Sequence, residues 1–148
     1  VEHGVTELTT GIDIVAEQIK QAAGVPVDFP EHVGLQPKCT AIEARLTATL
    51  PVKQTRIETL SWPADVRVDT DYHQGDRLVT MYDGLIAKLM VTGANRQQTV
   101  RNLQRALAQV TLTGPTTNLT FLQQTVARPA YIHDQYTIHS LARWEASK

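Results

Sequence analysis

Apolar residues recur three or four positions apart in four stretches of the chain, a spacing typical of amphipathic helices. The predicted helices are residues 8–23, a helix that begins after Asn95, a helix that begins at Thr116 or Thr117, and a last helix near 135–144. Gly24 and Pro26 would end the first helix, and Asn95 would cap the second. The apolar stripes are, in chain order, Leu8, Ile12, Val15, Ile19 and Ala22; Val100, Leu103, Leu107 and Val110; Leu119, Leu122 and Val126; and Ile138 and Leu141.

Between the first and second helices the pattern changes to alternation, which predicts β-strands. Residues 40–46 place Thr40, Ile42, Ala44 and Leu46 on one face and Cys39, Glu43 and Arg45 on the other. Further strands are predicted at about 56–62, at 66–68, and at 85–91, where the run is nearly apolar throughout. In the short strand at 66–68 the two valines would point inward, so Arg67 and Asp69 would point the other way.

The order of the predicted elements indicates the fold class. One helix is followed by several neighbouring strands, joined by short polar turns, and then by helices. This order favours an α+β fold in which an antiparallel sheet is segregated from the helices. The chain has 148 residues, which suits one domain with a buried core.

Net charge, apolar runs and cysteine content limit which binding partners and which cellular compartment the sequence predicts. The net charge is -1 with both signs interspersed, so no broad electrostatic field points to nucleic acid or to an anionic membrane. The longest apolar run, at 85–91, is interrupted by Lys88 and is too short to span a bilayer. Cys39 is the single cysteine and cannot form an internal disulfide, which fits a reducing cytosol and predicts a cytoplasmic location.

Several familiar chemical motifs are missing from the sequence. It contains neither GxGxxG nor GxxxxGK(S/T), so none of its loops would cradle a triphosphate unaided. The five histidines and the lone cysteine lack the spacing of metal ligands, and no metal site is predicted. No nucleophile-elbow sequence surrounds a serine.

Two charged positions still stand out. Glu2 lies just ahead of the first predicted helix, and Arg67 projects from the unburied side of a short strand. Pattern alone favours a surface salt bridge between Arg67 and Asp65 or Asp69, since most exposed ion pairs are incidental.

The opening segment VEHGVTELTTGIDIVAEQIKQAAG resembles the part of biotin carboxylases that follows the ATP-grasp core, which reads V-E-H-x-V-T-E, then a T-G-x-D helix, then A-A-G. Further matches follow in the same order along the chain. They are AIEARL for A-I-E-C-R-I, VRVDT for the G-V-R strand, MYDGLIAKLMVTGANR for Y-Y-D-S-L-I-A-K-L and the following turn, TGPTTNLTFL for G-x-x-T-N-x-x-F-L, and YTIHSL for T-x-I-H-x-L. The resemblance runs from Val1 to about Leu141 and covers essentially the whole chain.

The resemblance implies that the intact protein uses ATP and Mg²⁺ to activate bicarbonate as carboxyphosphate and then carboxylates the ureido nitrogen of biotin on a carrier protein. It assigns Glu2 as the base toward bicarbonate and Arg67 as the arginine that stabilises the biotin enolate. A carboxylate can accept the bicarbonate proton, and a guanidinium suits a developing oxyanion. Ile138 is assigned to the isoleucine that lies against adenine, although it also belongs to a predicted apolar helical stripe.

The resemblance further implies that the chain is a piece of a longer enzyme. Residues 1–148 are expected to be the C-terminal domain of a biotin carboxylase, with residues 1–24 as the end of the preceding ATP-grasp region. The nucleotide lid and the metal-binding carboxylates would lie outside this piece, which alone is expected to be inactive. The expected partners are a biotin carboxyl carrier protein, the carboxyltransferase subunits of an acetyl-CoA carboxylase, which serves fatty acid biosynthesis, and a second copy in a homodimer.

The sequence departs from the family pattern in two loops. The family's A-E-D-P reads TATLP here, and its P-G-G-x-G-V-R loop reads WPADVR, which has no glycine. Glycine in such a loop allows positive φ and close approach of a ligand. Two alternatives therefore stay open. The chain could be a diverged, non-catalytic interaction or dimerisation module, or the same domain of a pyruvate, propionyl-CoA or urea carboxylase.

Overall fold

The computed structural model of the chain describes residues 3–27, 37–49, 52–80 and 83–146. Its helices are α1 (His3–Thr10), α2 (Ile14–Ala22), α3 (Arg96–Gln109), α4 (Leu119–Val126), α5 (Pro129–Ile132) and α6 (Ser140–Ala146). Its strands are β1 (Thr40–Thr47), β2 (Val52–Arg56), β3 (Thr59–Ser61), β4 (Arg67–Asp69), β5 (Arg77–Thr80), β6 (Leu85–Gly93) and β7 (Thr111–Thr113). The strands pair in antiparallel fashion, which confirms the predicted α+β class.

The strands of the described residues form three small sheets rather than the single predicted sheet. The central sheet has the order β1-β6-β4, and two-stranded sheets join β2 to β5 and β3 to β7. The predicted strand at 56–62 is divided between β2 and β3, because Ile57 leaves the strand and is fully buried, and its N–H donates to the carbonyl of Asp76 at 2.9 Å. The predictions of β1, β4 and β6 are confirmed, whereas β5 and β7 were not predicted.

The register of the central sheet gives it two chemically different faces. Two neighbouring rows of paired residues share one face: Glu43, Met90 and Arg67, then Arg45, Lys88 and Asp69. We call this side the charged face, since side chains two residues apart along a strand point the same way. The opposite side, the core face, carries Ala44, Leu46, Leu89 and Val91, each at most 6% exposed.

Helix α3 packs on the core face and contributes buried apolar side chains to the core. Its predicted stripe of Val100, Leu103, Leu107 and Val110 is buried throughout. Asn95 caps the helix as predicted, because its Oδ1 accepts the N–H of Gln98 at 2.9 Å. Full burial of one such side chain contributes about 1.5–3 kcal/mol. The core face is therefore what holds the sheet and the helices together, and the charged face is left for polar contacts.

The single helix predicted at 8–23 is wrong, because the structure has two helices there. Gly11 adopts a φ of +80°, which interrupts α1. Asp13 then caps α2, since its Oδ1 accepts the N–H of Ala16 at 2.8 Å. The break turns the apolar side chains of α2 outward, so Val15 is 44% exposed and Ile19 is 65% exposed.

The last helix also differs from its prediction at 135–144. It begins at Ser140, after a segment in which Asp134 has a φ of +59°. Ile138 lies before the helix and is 92% exposed, so the interpretation of this side chain as helix core is wrong. The short helix α5 was not predicted. In the part of the chain that the structure describes, no helix has both the length and the apolar character needed to cross a membrane.

Candidate functional site

Helix α1 lies directly on the charged face, and a glycine makes this close approach possible. A Cβ atom at Gly4 would collide with Sδ of Met90 on β6 and would lie 3.1 Å from Oε2 of Glu43 on β1. Any residue with a side chain at this position would displace the helix or Met90. Gly4 therefore sets how closely α1 approaches the sheet.

Four ionisable side chains join α1 to the edge strand β4. Nε and Nη2 of Arg67 donate to the two carboxylate oxygens of Asp69, at 3.0 and 2.9 Å. The third nitrogen of Arg67, Nη1, lies 2.7 Å from Oε2 of Glu7. Nε2 of His3 lies 3.4 Å from Oδ2 of Asp69. We call this set of His3, Glu7, Arg67 and Asp69 the α1–β4 network.

Glu7 also fixes the start of α2. Its Oε1 accepts the backbone N–H of Ile14 at 2.8 Å and that of Val15 at 3.4 Å. Its side chain is only 6% exposed, and a buried carboxylate is unfavourable unless its oxygens are paired. One buried carboxylate thus bonds to β4 through Arg67 and to α2 through the backbone.

The contacts of the network alter the pKa values of two of its members. Hydrogen bonding to Asp69, opposed by burial and assisted by Glu7, raises the pKa of Arg67 above its usual range. Burial raises the pKa of Asp69, but the hydrogen bonds and charges of Arg67 and His3 outweigh it, so that this pKa lies below its usual value. Arg67 and Asp69 therefore both carry their charges at neutral pH.

Two further cations share the charged face. Arg45 and Lys88 are paired across β1 and β6, in the row that ends at Asp69. Nε of Arg45 donates to Oε1 of Glu43 at 3.0 Å, and the Arg45 side chain is 42% exposed. Sequence reasoning singled out Arg67 and passed over Arg45 and Lys88. The alternation of β1 and β6 carried the signal, but the strand register was needed to show that all three cations lie on one face.

The structure gives a different outcome for each of the three predicted site residues. Arg67 lies in the α1–β4 network and pairs with Asp69, as the salt-bridge interpretation predicts. Glu2 lies outside the described residues; in the sequence it directly precedes His3. Ile138 lies on the surface and is 92% exposed.

A cavity of about 320 Å³ opens beside the charged face, between α1 and the C-terminal segment. Oε2 of Glu43 is buried there and has no hydrogen-bond partner in the described part of the chain, and the Glu43 side chain is 10% exposed. The rings of Tyr131 and Tyr136 stack with their centres 5.2 Å apart, and the Arg96 guanidinium lies over both. Burial, together with the charge of Tyr136, raises the pKa of Tyr131. A carboxylate oxygen beside aromatic rings suits a hydrogen-bond donor better than an anion.

Metal binding finds no support in the described ranges 3–27, 37–49, 52–80 and 83–146. They contain no group of three or more histidine, cysteine, aspartate or glutamate side chains that could hold a metal ion. The carboxylates of the charged face are already paired with cations.

A family model described as the biotin carboxylase C-terminal domain matches residues 43–143 of this chain. The matched region begins within β1 and ends within α6. It therefore includes most of the central sheet, residues on both of its faces, and helix α3. Helix α1 and the residues before it lie outside the match.

Individual relatives agree with this match in sequence and in fold. Biotin carboxylase of Haemophilus influenzae is 35% identical over 125 residues, which are 80% of this chain and 28% of that protein. The structure resembles the biotin carboxylase subunit of pyruvate carboxylase with a TM-score of 0.88 at 30% identity, covering 99% of this chain and 34% of that one.

A third relative was crystallised with ligands. It is the biotin carboxylase domain dimer of the Hydrogenobacter thermophilus 2-oxoglutarate carboxylase, in complex with MgADP, ADP and bicarbonate. The likeness has a TM-score of 0.88 at 29% identity and covers 97% of this chain and 33% of that one. The chain thus spans between 28% and 34% of these three proteins.

Proposed function

Because this chain belongs to the biotin carboxylase C-terminal domain family, we propose that it forms the C-terminal part of an ATP-dependent biotin carboxylase, which carboxylates carrier-bound biotin with bicarbonate. The observation that carries the proposal is the family match over residues 43–143, which spans most of the central sheet. The charged face of that sheet supplies cations and carboxylates beside α1, as a site for bicarbonate chemistry requires.

The proposal includes the roles that the resemblance assigns to Glu2 and Arg67. Glu2 would accept the proton of bicarbonate, and Arg67 would stabilise the enolate of biotin. The α1–β4 network limits how many N–H groups Arg67 can offer to the enolate. Three of the five N–H groups of Arg67 already face Glu7 and Asp69, so only two remain for a ligand. With two carboxylates around one guanidinium, the cluster also has no net positive charge to offer an anion.

Arg45 provides a comparison for that role on the same face. Its side chain is 42% exposed, against 35% for Arg67, and its Nε donates to the carboxylate of Glu43. By exposure alone, Arg45 is the more accessible of the two guanidinium groups to an anionic ligand. The contacts of Arg67 favour its salt-bridge interpretation, and its contact with the enolate stays a prediction.

ATP and Mg²⁺ are proposed to bind mainly outside this chain. In support, the sequence has no phosphate-binding loop, and the described residues offer no metal-binding group. Ile138 is proposed to lie against adenine, and its exposure leaves an apolar side chain free to be covered by a ligand. Residues 1–24 would be the end of the ATP-grasp region in such an enzyme.

The proposed assembly is a homodimer that works with a biotin carboxyl carrier protein and carboxyltransferase subunits in the cytoplasm. The exposed apolar side chains of α2, Val15 and Ile19, support burial against another surface. Acetyl-CoA is the proposed acceptor, within fatty acid biosynthesis. The alternative is the same domain of a pyruvate, propionyl-CoA or urea carboxylase, and relatives named for pyruvate and urea carboxylases support it.

A second candidate is a diverged, non-catalytic interaction module. Two observations favour it: the guanidinium of Arg67 is held by carboxylates, and the loop that leads to it is anchored. Pro63 is buried and Trp62 packs against the core, in a loop without glycine. Such a loop has little freedom to close over a ligand.

Phosphate release distinguishes the two candidates. The full-length protein that carries this chain is incubated with MgATP, with and without bicarbonate and free biotin. The proposed function predicts release that requires bicarbonate and rises with biotin, and it predicts none from residues 1–148 alone. Full-length protein that binds MgATP but shows no dependence on biotin would favour the non-catalytic module.

A further inference from the structure

We infer that the cavity between α1 and the C-terminal segment is a further binding site, which takes a small neutral molecule with a carboxamide or lactam group beside a flat apolar ring. The cavity has a volume of about 320 Å³. An apolar protein cavity of about 150 Å³ already holds a benzene molecule, so this one has room for a ring and its amide group. The existence of this site does not depend on the proposed function.

Two residues that line the cavity each have a buried polar atom in need of a hydrogen-bond partner. Among the described residues, neither Oε2 of Glu43 nor Nε of Arg96 has such a partner. Nε of Arg96 lies 3.3 Å from Oδ1 of Asp134, an ion-pair contact without the geometry of a hydrogen bond. Most buried polar groups in native proteins are hydrogen-bonded, so each exception requires an explanation. Here one atom is an acceptor and the other is a donor.

The charges around the cavity favour a neutral ligand. Oε1 of Glu43 accepts a hydrogen bond from Nε of Arg45 at 3.0 Å, and Arg96 is ion-paired with Asp134. Glu43 and Arg96 therefore each have an opposite charge beside them, and a charged ligand would add an unbalanced charge. A carboxamide or lactam has an N–H donor for Glu43 and a carbonyl acceptor for Arg96, and it has no net charge.

The walls of the cavity are apolar and aromatic, and hydrogen bonds hold them in place. They include Val5 of α1, Ile42 of β1, and Tyr131 and Tyr136, whose rings stack with their centres 5.2 Å apart. Nη2 of Arg96 donates to the carbonyl oxygen of Tyr131 at 3.1 Å and to Oη of Tyr136 at 3.0 Å. Binding sites for small molecules combine walls of this kind with a few fixed polar groups. Because the walls are already ordered, a ligand would lose little affinity to ordering them.

Binding of three ring compounds to the full-length protein tests this site. Benzamide has both the donor and the acceptor, benzoate lacks the donor, and benzylamine lacks the acceptor. Titration calorimetry should show one benzamide site per chain. Benzoate and benzylamine should each bind about tenfold more weakly or worse, because each leaves a buried polar atom unpaired and adds a charge. Equal affinity for the three compounds, or no saturable binding of benzamide, would overturn the inference.

Glu43→Gln distinguishes a changed hydrogen bond from a damaged fold. If the amide oxygen of the new side chain accepts from Nε of Arg45, its NH2 group replaces Oε2, so that a donor stands where the acceptor was. The affinity for benzamide should fall about tenfold and that for benzoate should rise, a reversal that general destabilisation would not produce. The matched control is Asp65→Asn, which removes a carboxylate that is 71% exposed and pairs with Arg105 at 3.4 Å. It should bind all three compounds as wild type does, and unchanged affinities in Glu43→Gln would contradict the site.

Tyr136→Ala provides a second test should Glu43→Gln not fold. Tyr136 is 38% exposed, so its truncation should leave the fold intact, whereas loss of a ring from the wall should weaken benzamide binding several-fold. Unchanged benzamide binding in Tyr136→Ala would also refute the site.

Competition with MgADP separates this site from nucleotide binding. Benzamide should bind equally well to the full-length protein with and without saturating MgADP. Displacement of benzamide by MgADP would assign the cavity to the nucleotide site and overturn the inference. A protein that binds benzamide as expected but shows no biotin-dependent phosphate release would refute the proposed function and leave this site in place.

Discussion

The carboxylate of Glu7 and the guanidinium of Arg67 meet at 2.7 Å and join the first helix to the edge strand β4. The Glu7 side chain is almost fully buried, whereas that of Arg67 is about one-third exposed. Removing one partner of a buried ion pair is unfavourable chiefly because it leaves the other charge unpaired. The pair therefore makes α1 depend on β4, although the family match begins only at residue 43.

Gly114→Ala should destabilise the chain much more than Gly24→Ala. Both glycines have positive φ, +109° at Gly114 and +77° at Gly24, so alanine is strained at each. A Cβ at Gly114 would also collide with the carbonyl oxygen of Arg56, whereas a Cβ at Gly24 meets nothing within 4 Å. Gly24→Ala should lower the free energy of unfolding by about 1 kcal/mol, and Gly114→Ala by about 2 kcal/mol more. Urea unfolding measures both values, and equal losses would refute the steric argument.

Asp69→Asn should change how stability depends on pH. The pKa of Asp69 is lower in the folded chain than in the unfolded chain, so its ionised form favours folding. That contribution is fully present above the unfolded pKa of about 3.9 and is lost as the pH falls through the lower folded pKa. The stability difference between wild type and Asp69→Asn should stay constant from about pH 7 to 5 and shrink below about pH 4. Thermal unfolding across this range tests it, and a difference that grows in acid would contradict the sign. Asp65→Asn is the control and should show little difference throughout.

Ile138→Ala should separate ligand binding from stability. Ile138 is 92% exposed, so its truncation should change the free energy of unfolding of residues 1–148 by less than about 0.5 kcal/mol. In the full-length protein, loss of a contact with adenine should raise the KM for ATP several-fold. Leu141→Ala is the matched control, since Leu141 is apolar, 49% exposed and nearby in the sequence. An unchanged KM for ATP in Ile138→Ala would remove Ile138 from the nucleotide site.

Much of the fold follows from apolar spacing, because burial on one side of an element leaves a periodic trace in its sequence. The stripe of α3 and the alternation of β1 both appear in the structure as predicted. The first helix was mispredicted because the apolar stripe continues through Gly11, where positive φ and the Asp13 cap outweigh the periodicity. The strands β5 and β7 were missed because they are short and depend on distant partners rather than on local pattern.

The candidate site was only partly predictable. Alternation placed Arg67 away from the core, but no local pattern indicated that Glu7 would meet it, since that contact depends on where α1 lies on the sheet. Likewise, the register of β1 against β6 and of β6 against β4 was needed to place Arg45, Lys88 and Asp69 in one row. The paired carboxylates around Arg67 are therefore a result of tertiary structure.

The roles of Arg67 and Arg45 can be compared directly in the full-length protein. If Arg67 contacts the enolate, Arg67→Ala should slow biotin carboxylation by about 100-fold or more, as loss of one oxyanion donor commonly does, and should leave ATP affinity nearly unchanged. If Arg67 serves only as the partner of Glu7 and Asp69, Arg45→Ala should give the larger kinetic loss. Equal rates for Arg67→Ala and wild type would establish Arg67 as an ion-pair residue.

The central claim is that the segment around α1 carries the base of a biotin carboxylase, and Glu2→Gln in the full-length protein tests it most directly. The measurement is the rate of formation of carboxybiotin from MgATP, bicarbonate and biotin. Glu17→Gln is the matched control, since Glu17 lies on α2 and pairs with the exposed Lys20. The account predicts that Glu2→Gln lowers the rate by about 100-fold or more, while Glu17→Gln matches wild type. A Glu2→Gln protein that carboxylates biotin at the wild-type rate would contradict it.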